Sequence, residues 1–139
     1  MLKQPLIILL TILNGFLALT AIGGGIGLIA GFGAPPEDLL EGSIFSSYLI
    51  PGLVLLVIIG GFSSFAFFLL IKKHKHGLSS SLIMAVFIIS FEIVEIIVIG
   101  SPEGTARNLQ ILYLTIGFVI GFIALILNRL TSSNLSQTS

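Results

Sequence analysis

Four apolar runs, each long enough to cross a lipid bilayer as a helix, occupy most of this chain: roughly residues 5–32, 48–71, 82–100 and 109–128. A helix rises about 1.5 Å per residue, so about 20 residues traverse the ~30 Å hydrocarbon layer. No water is available there to satisfy backbone N–H and C=O groups, so only helices and closed barrels can span it. Barrel strands are short segments of alternating polarity, and none is present. The outer helices of a water-soluble bundle carry a polar face, and these runs carry none. Composition agrees, with 55% hydrophobic and 9% charged residues and a mean hydropathy of +1.18. The chain therefore reads as all-α, a single membrane domain over residues 1–139 built as a four-transmembrane-helix bundle.

Charge sets the expected orientation. Lys3, Lys72, Lys73, Lys75 and Arg129 fall at the N-terminus, the second loop and the C-terminal end, while Glu37, Asp38, Glu41 and Glu103 fall in the first and third loops with Arg107. Positively charged loops stay on the cytoplasmic side, which predicts that both termini are cytoplasmic in a multi-pass plasma-membrane protein. The first apolar run is longer than the core of a signal peptide, Leu19 stands where a cleavage site needs a small residue, and no soluble domain follows. That run is expected to be retained as a helix. The chain has no cysteine, which excludes disulfides and thiol chemistry.

The first loop carries Pro35 and Pro36, which are expected to stop the first helix. Residues 36–41 then read as a short interfacial helix, with acids in its first turn, Gly42 to end it, and Leu39 and Leu40 facing the membrane. Small residues recur at close-packing intervals: Gly23, Gly27 and Gly31 in the first span, Gly60 and Ser64 in the second, Gly117 and Gly121 in the fourth. Helices in lipid associate by letting backbones approach at such positions, so these are the expected packing faces.

Glu92 and Glu95 are the acids inside the third run. An intramembrane acid is expensive and is a functional candidate by default. Ser81, Ala85, Ile88, Glu92, Glu95 and Ile99 repeat at alternating spacings of four and three, which places both carboxyls on one helix face. Gln110, Tyr113, Gly117, Gly121, Ala124 and Asn128 form a matching stripe on the fourth run, and the short third loop makes the two helices antiparallel neighbours. Glu92 lies about 12 Å below Gly100 by helical rise. Tyr113 comes level with Glu95 and is expected to donate to it. Gly23–Gly24–Gly25 come level with Glu92, as a local helix break or a tight crossing. No Lys or Arg lies inside a run, so the two acids are expected to hold at most one negative charge between them.

The Lys72–His76 loop has two histidines, but its lysines repel a cation, so it reads as a topology signal and a contact for anionic lipid. The Thr131–Ser139 tail reads as disordered. No metal site or cofactor is expected. Neither a phosphate loop nor a nucleophile or zinc-protease motif occurs, so no enzyme is expected. A neutral chain of this polarity also excludes soluble nucleic-acid binding.

The stretch from Leu40 to Gly52, reading LEGSIFSSYLIPG, resembles the "LEGSPFxSYLIPGL" segment of a group of uncharacterised small bacterial four-span membrane proteins. Glu95 ahead of Ile99–Gly100, and Leu109–Gln110–Ile111–Leu112–Tyr113 entering the fourth run, match further features of that group. The departures are Ile44 in place of Pro, an added Glu92, and a longer charged third loop. The resemblance covers most of residues 33–125 and implies a four-span fold in a bacterial inner membrane. It brings no catalytic residues.

Two functions of different class follow. The favoured one is an accessory or scaffold subunit, self-associating or attached to a membrane partner protein through its glycine faces. The alternative is a proton or cation transport or sensing unit using Glu92 and Glu95.

Overall fold

The computed structural model describes residues 2–138, all-helical where regular. Among them, four helices are long and apolar enough to cross a bilayer: α1 (Lys3–Ala30), α2 (Leu49–Ile71), α3 (Gly77–Ile99) and α4 (Thr105–Thr138). Each packs on its neighbour in sequence, and α1 also packs on α4, closing an up-down-up-down ring. Short connections between long helices impose this antiparallel order.

The central core joins Leu10, Leu17, Ile59, Met84, Ile88, Ile120 and Leu127 with small residues such as Ala21, Ala85 and Ala124. A second cluster at the opposite end from the termini holds Leu40, Tyr48 and Ile99. The outward faces remain apolar on every helix, from Ile12 and Leu19 on α1 to Phe118 and Phe122 on α4. A bundle with a buried seam and an apolar exterior is suited to lipid on all sides.

Helix ends depart from the apolar runs in instructive ways. α1 stops at Gly31, ahead of the prolines. Gly31 takes φ +79°, the left-handed region that glycine enters freely, and its N–H bonds to the Gly27 carbonyl. α3 starts at Gly77, five residues before the apolar run, because Ser79–Ser81 are compatible with a helix and the Ser81 hydroxyl bonds back to Gly77 O at 3.0 Å. The tail expected to be disordered is helical to Thr138. It lacks Gly and Pro, and the Thr131 and Ser132 hydroxyls each bond the carbonyl four residues back. Ser139 lies outside the described residues.

The first loop is also corrected. Glu37–Leu40 forms one 3₁₀ turn, but Leu40 is buried against Tyr48 and Ile99, with Leu39 packed beside them, and does not face outward. Tyr48 donates to Pro36 O at 3.2 Å, which holds the loop down over the bundle end. Burial first, then the nearby carboxylates of Glu95, Asp38 and Glu37, push the Tyr48 phenol above its ordinary range, so it stays protonated and keeps donating.

Close approach keeps Gly60 and Gly117 of the expected set, but on α1 it falls on Gly25 in place of Gly23, Gly27 and Gly31. A Cβ on Gly25 would sit 2.7 Å from the backbone N of Leu56 and 2.8 Å from Gly52 O, so α1 and α2 nearly touch there. Gly60 meets Ile22 in the same crossing, and Gly117 meets Ile88 and Ile89 between α4 and α3. Gly121 is in ordinary contact with Ala85, and the Ser64 hydroxyl turns back to Gly60 O at 2.7 Å. Gly23 has open space beside it, Gly27 faces Phe32 O, and Gly31 is the cap. The triple glycine does not break α1; it supplies the tight crossing at Gly25.

Candidate functional site

α3 carries Glu92 and Glu95 one turn apart on its inward face, at the half of the bundle away from the termini. The bundle gives the two carboxyls different surroundings. Glu95 is half-buried and accepts from the Gln110 side-chain amide, Nε2 to Oε1 at 3.1 Å. The same Nε2 donates its other hydrogen to Gly100 O at 3.1 Å, while Gln110 Oε1 accepts from the Ser101 hydroxyl at 2.8 Å. The Ser101 carbonyl in turn accepts from Arg107 Nη2 at 2.7 Å and Nε at 3.1 Å. Arg107 also approaches Glu103, at 3.7 Å. Glu95 is thus the inner end of a chain of hydrogen bonds running through a fully used amide to a surface guanidinium.

Glu92 has no such support. Its side chain is 1% exposed, and its Oε2 has no hydrogen-bond partner. A buried polar oxygen without a partner costs about 1–3 kcal/mol, so its presence asks for an occupant or a function. Tyr113 is buried beside both acids but does not donate to Glu95. Gln110 supplies that donor instead. Gln110 lay on the inward stripe of the fourth run, and its two N–H donors beside a carbonyl acceptor, against the single O–H of a phenol, were the signal that it bridges α4 to α3.

Glu92, Glu95 and Tyr113 line a cleft of about 1010 Å³ bounded by all four helices and the Phe32–Leu40 segment. Its walls are mostly apolar: Gly23, Gly24 and Gly27 from α1, Leu55 and Ile59 from α2, Phe87 and Phe91 from α3, Leu109 from α4. Four acids reach it, Asp38, Glu92, Glu95 and Glu103, and among the described residues that line it none is basic. The α2 wall is wound as a π turn over Val54–Ile59. Such turns concentrate at functional sites, and this one brings Val54, Leu55, Ile58 and Ile59 to the cleft. An edge-to-face contact between Phe62 and Phe87, centroids 5.2 Å apart, ties α2 to α3 below it.

A smaller polar contact lies toward the termini. Asn14 of α1 donates to Leu10 O at 2.9 Å and across the bundle to Ser81 Oγ of α3 at 3.2 Å. His74 and His76 are exposed at the α2–α3 turn with rings 5.2 Å apart. Among the described residues, no group of three or more His, Cys, Asp or Glu is placed to hold a metal ion.

No family model, curated protein or solved structure matches the chain. What the cleft can do chemically therefore rests on its own atoms. It offers one committed acid, one open acid, apolar walls and aromatic faces. A carboxyl so placed can exchange a proton with an occupant or pair with a positive charge.

Proposed function

We propose that this chain is a multi-pass protein of the plasma membrane, with both termini cytoplasmic, that works as a proton- or cation-handling unit, for transport or sensing. The observation that carries this reading is Glu92, 1% exposed, with an unpartnered Oε2 in the wall of a cleft of about 1010 Å³. Glutamates serving only to glue helices together should both be paired, as Glu95 is. The asymmetry of Lys72, Lys73 and Lys75 against Glu37, Asp38 and Glu41 supports the orientation. The likeness of residues 33–125 to the small bacterial four-span group supports an inner-membrane location.

The direct test is flux in proteoliposomes, read with a pH dye and a cation-selective electrode. Glu92→Gln should abolish proton or cation movement that the native protein supports. Flux surviving Glu92→Gln removes the residue from the mechanism.

A second reading, an accessory or self-associating scaffold, is favoured by Gly61. It is exposed on α2 with open space beside it, where a helix of a second copy or a membrane partner can approach. Gly117 is unsuited to that role because its face is filled by Ile88 and Ile89 of the same chain. Oligomeric state in mild detergent tests this reading. Gly61→Leu should convert an oligomer to a monomer, and a native protein that is already monomeric without a co-purifying partner contradicts it.

A further inference from the structure

Resting on the reading of Glu92 as an open acid, we propose that the cleft binds a lipophilic organic cation, an amine or onium centre on an apolar body, with its positive charge against Glu92. Three features of the site select this class. Charge comes first: Asp38, Glu92, Glu95 and Glu103 line the cleft, Arg107 pairs with Glu103 from outside it, and none of the described lining residues is basic, which disfavours anions. The walls come second. An inorganic divalent ion takes six or more oxygen ligands, whereas here one acid is bound by Gln110 and no set of three ligating side chains converges among the described residues. Apolar walls cannot replace the water that a small ion would give up. They do favour an organic cation, whose charge is spread and weakly hydrated. Third, Phe87, Phe91 and Tyr113 line the same space as Glu92, and aromatic faces attract such cations. A volume of about 1010 Å³ accommodates a drug-sized body.

Glu92 and Glu95 then have separate tasks. Glu95 is held by Gln110 and fixes the wall, while Glu92, buried and unpartnered, releases its proton to solvent as the cation enters and then takes up the ligand's charge.

The test uses the full chain in nanodiscs of zwitterionic phosphatidylcholine, with tritiated tetraphenylphosphonium as the probe and empty nanodiscs as the blank. The native protein should show saturable binding above the blank, displaced by unlabelled tetraphenylphosphonium but not by tetraphenylborate, which has the same shape and opposite charge. Glu92→Gln should lose about thirtyfold or more in affinity, as removal of one member of a buried charge pair does. Glu92→Asp should recover part of it. Absence of saturable binding in the native protein, equal displacement by the borate, or unchanged affinity in Glu92→Gln would overturn the proposal, the cleft then being a seat for acyl chains. If Glu92→Gln does not fold, by circular dichroism and elution volume, the phosphonium–borate comparison on the native protein still decides. The two readings fail separately. Glu92-dependent proton flux without phosphonium binding refutes the ligand class and leaves the acid site standing, whereas neither effect depending on Glu92 refutes both.

Discussion

An acid three residues from another on the same helix face would ordinarily share its fate, but at the level of single residues the bundle separates Glu92 from Glu95. One Gln110 amide serves Glu95, Gly100 O and Ser101, so its loss strands three groups together. Gln110→Leu should lower stability by about 1–3 kcal/mol in all, because water can replace the bonds of exposed Gly100 and Ser101 while half-buried Glu95 is left unserved, read as a fall in thermal midpoint in nanodiscs. Glu92→Leu should act in the opposite direction. It removes an oxygen that has no partner and leaves an apolar side chain of similar bulk among apolar walls, so the midpoint should rise by the equivalent of about 1–3 kcal/mol. A residue that costs stability and is nonetheless present is what a binding group looks like. If Glu92→Leu destabilises as much as Gln110→Leu, Glu92 is structural and the functional reading loses its support.

At the scale of helices, packing is decided by where backbones can approach, not by the spacing of glycines alone. The GxxxG stripe Gly23–Gly27–Gly31 was legible in the sequence, but α1 turns nearly the opposite face to α2, at Gly25, about 200° round the helix from Gly23. Nothing in a run of three glycines says which one meets the neighbour, since each leaves a similar gap; that is settled by how α2 enters after Tyr48 and Pro51. Gly25→Ala would drive a methyl into backbone atoms of Leu56 and Gly52 that cannot swing aside. It should cost about 1–3 kcal/mol, as overpacking does. Gly23→Ala meets nothing within 4 Å and should be neutral or stabilising, by up to about 1 kcal/mol from helix propensity. Unfolding titrations with sodium dodecyl sulfate measure both. The α3 and α4 seams were readable because their polar and small residues repeat at three and four, and Ser81, Ala85, Ile88, Glu92 and Ile99 are all buried. The α4 seam runs on through Leu127, and Asn128, on the next face of the helix, is exposed.

For the molecule as a whole, hydropathy alone gave the class and the number of long helices, since apolar runs near 20 residues admit few alternatives. Ends were less legible: an apolar run ends where polar residues begin, but a helix ends where a cap such as Gly31 or Gly100 stops it. The cleft was not legible at all, because a void between four helices leaves no mark on any one of them. Lys72, Lys73 and Lys75 against Glu37, Asp38 and Glu41 predict which end faces the cytoplasm. A cysteine placed at Ser46 should react with an impermeant maleimide on intact cells. One placed at Lys75 should react only after the cells are opened, and the reverse pattern inverts the topology.

The claim that joins these scales is that the Glu92 carboxyl, buried and unpartnered in the cleft wall, is the group that a cation in the cleft meets and shields. Mass-spectrometric mapping of dicyclohexylcarbodiimide adducts, in nanodiscs with and without tetraphenylphosphonium, measures this on the native chain. The account predicts an adduct on Glu92 whose formation slows as the phosphonium saturates its site, while modification of the exposed Glu37 and Glu41 stays unchanged. Labelling of Glu92 at the same rate with and without the cation, or no adduct there at all, would contradict it.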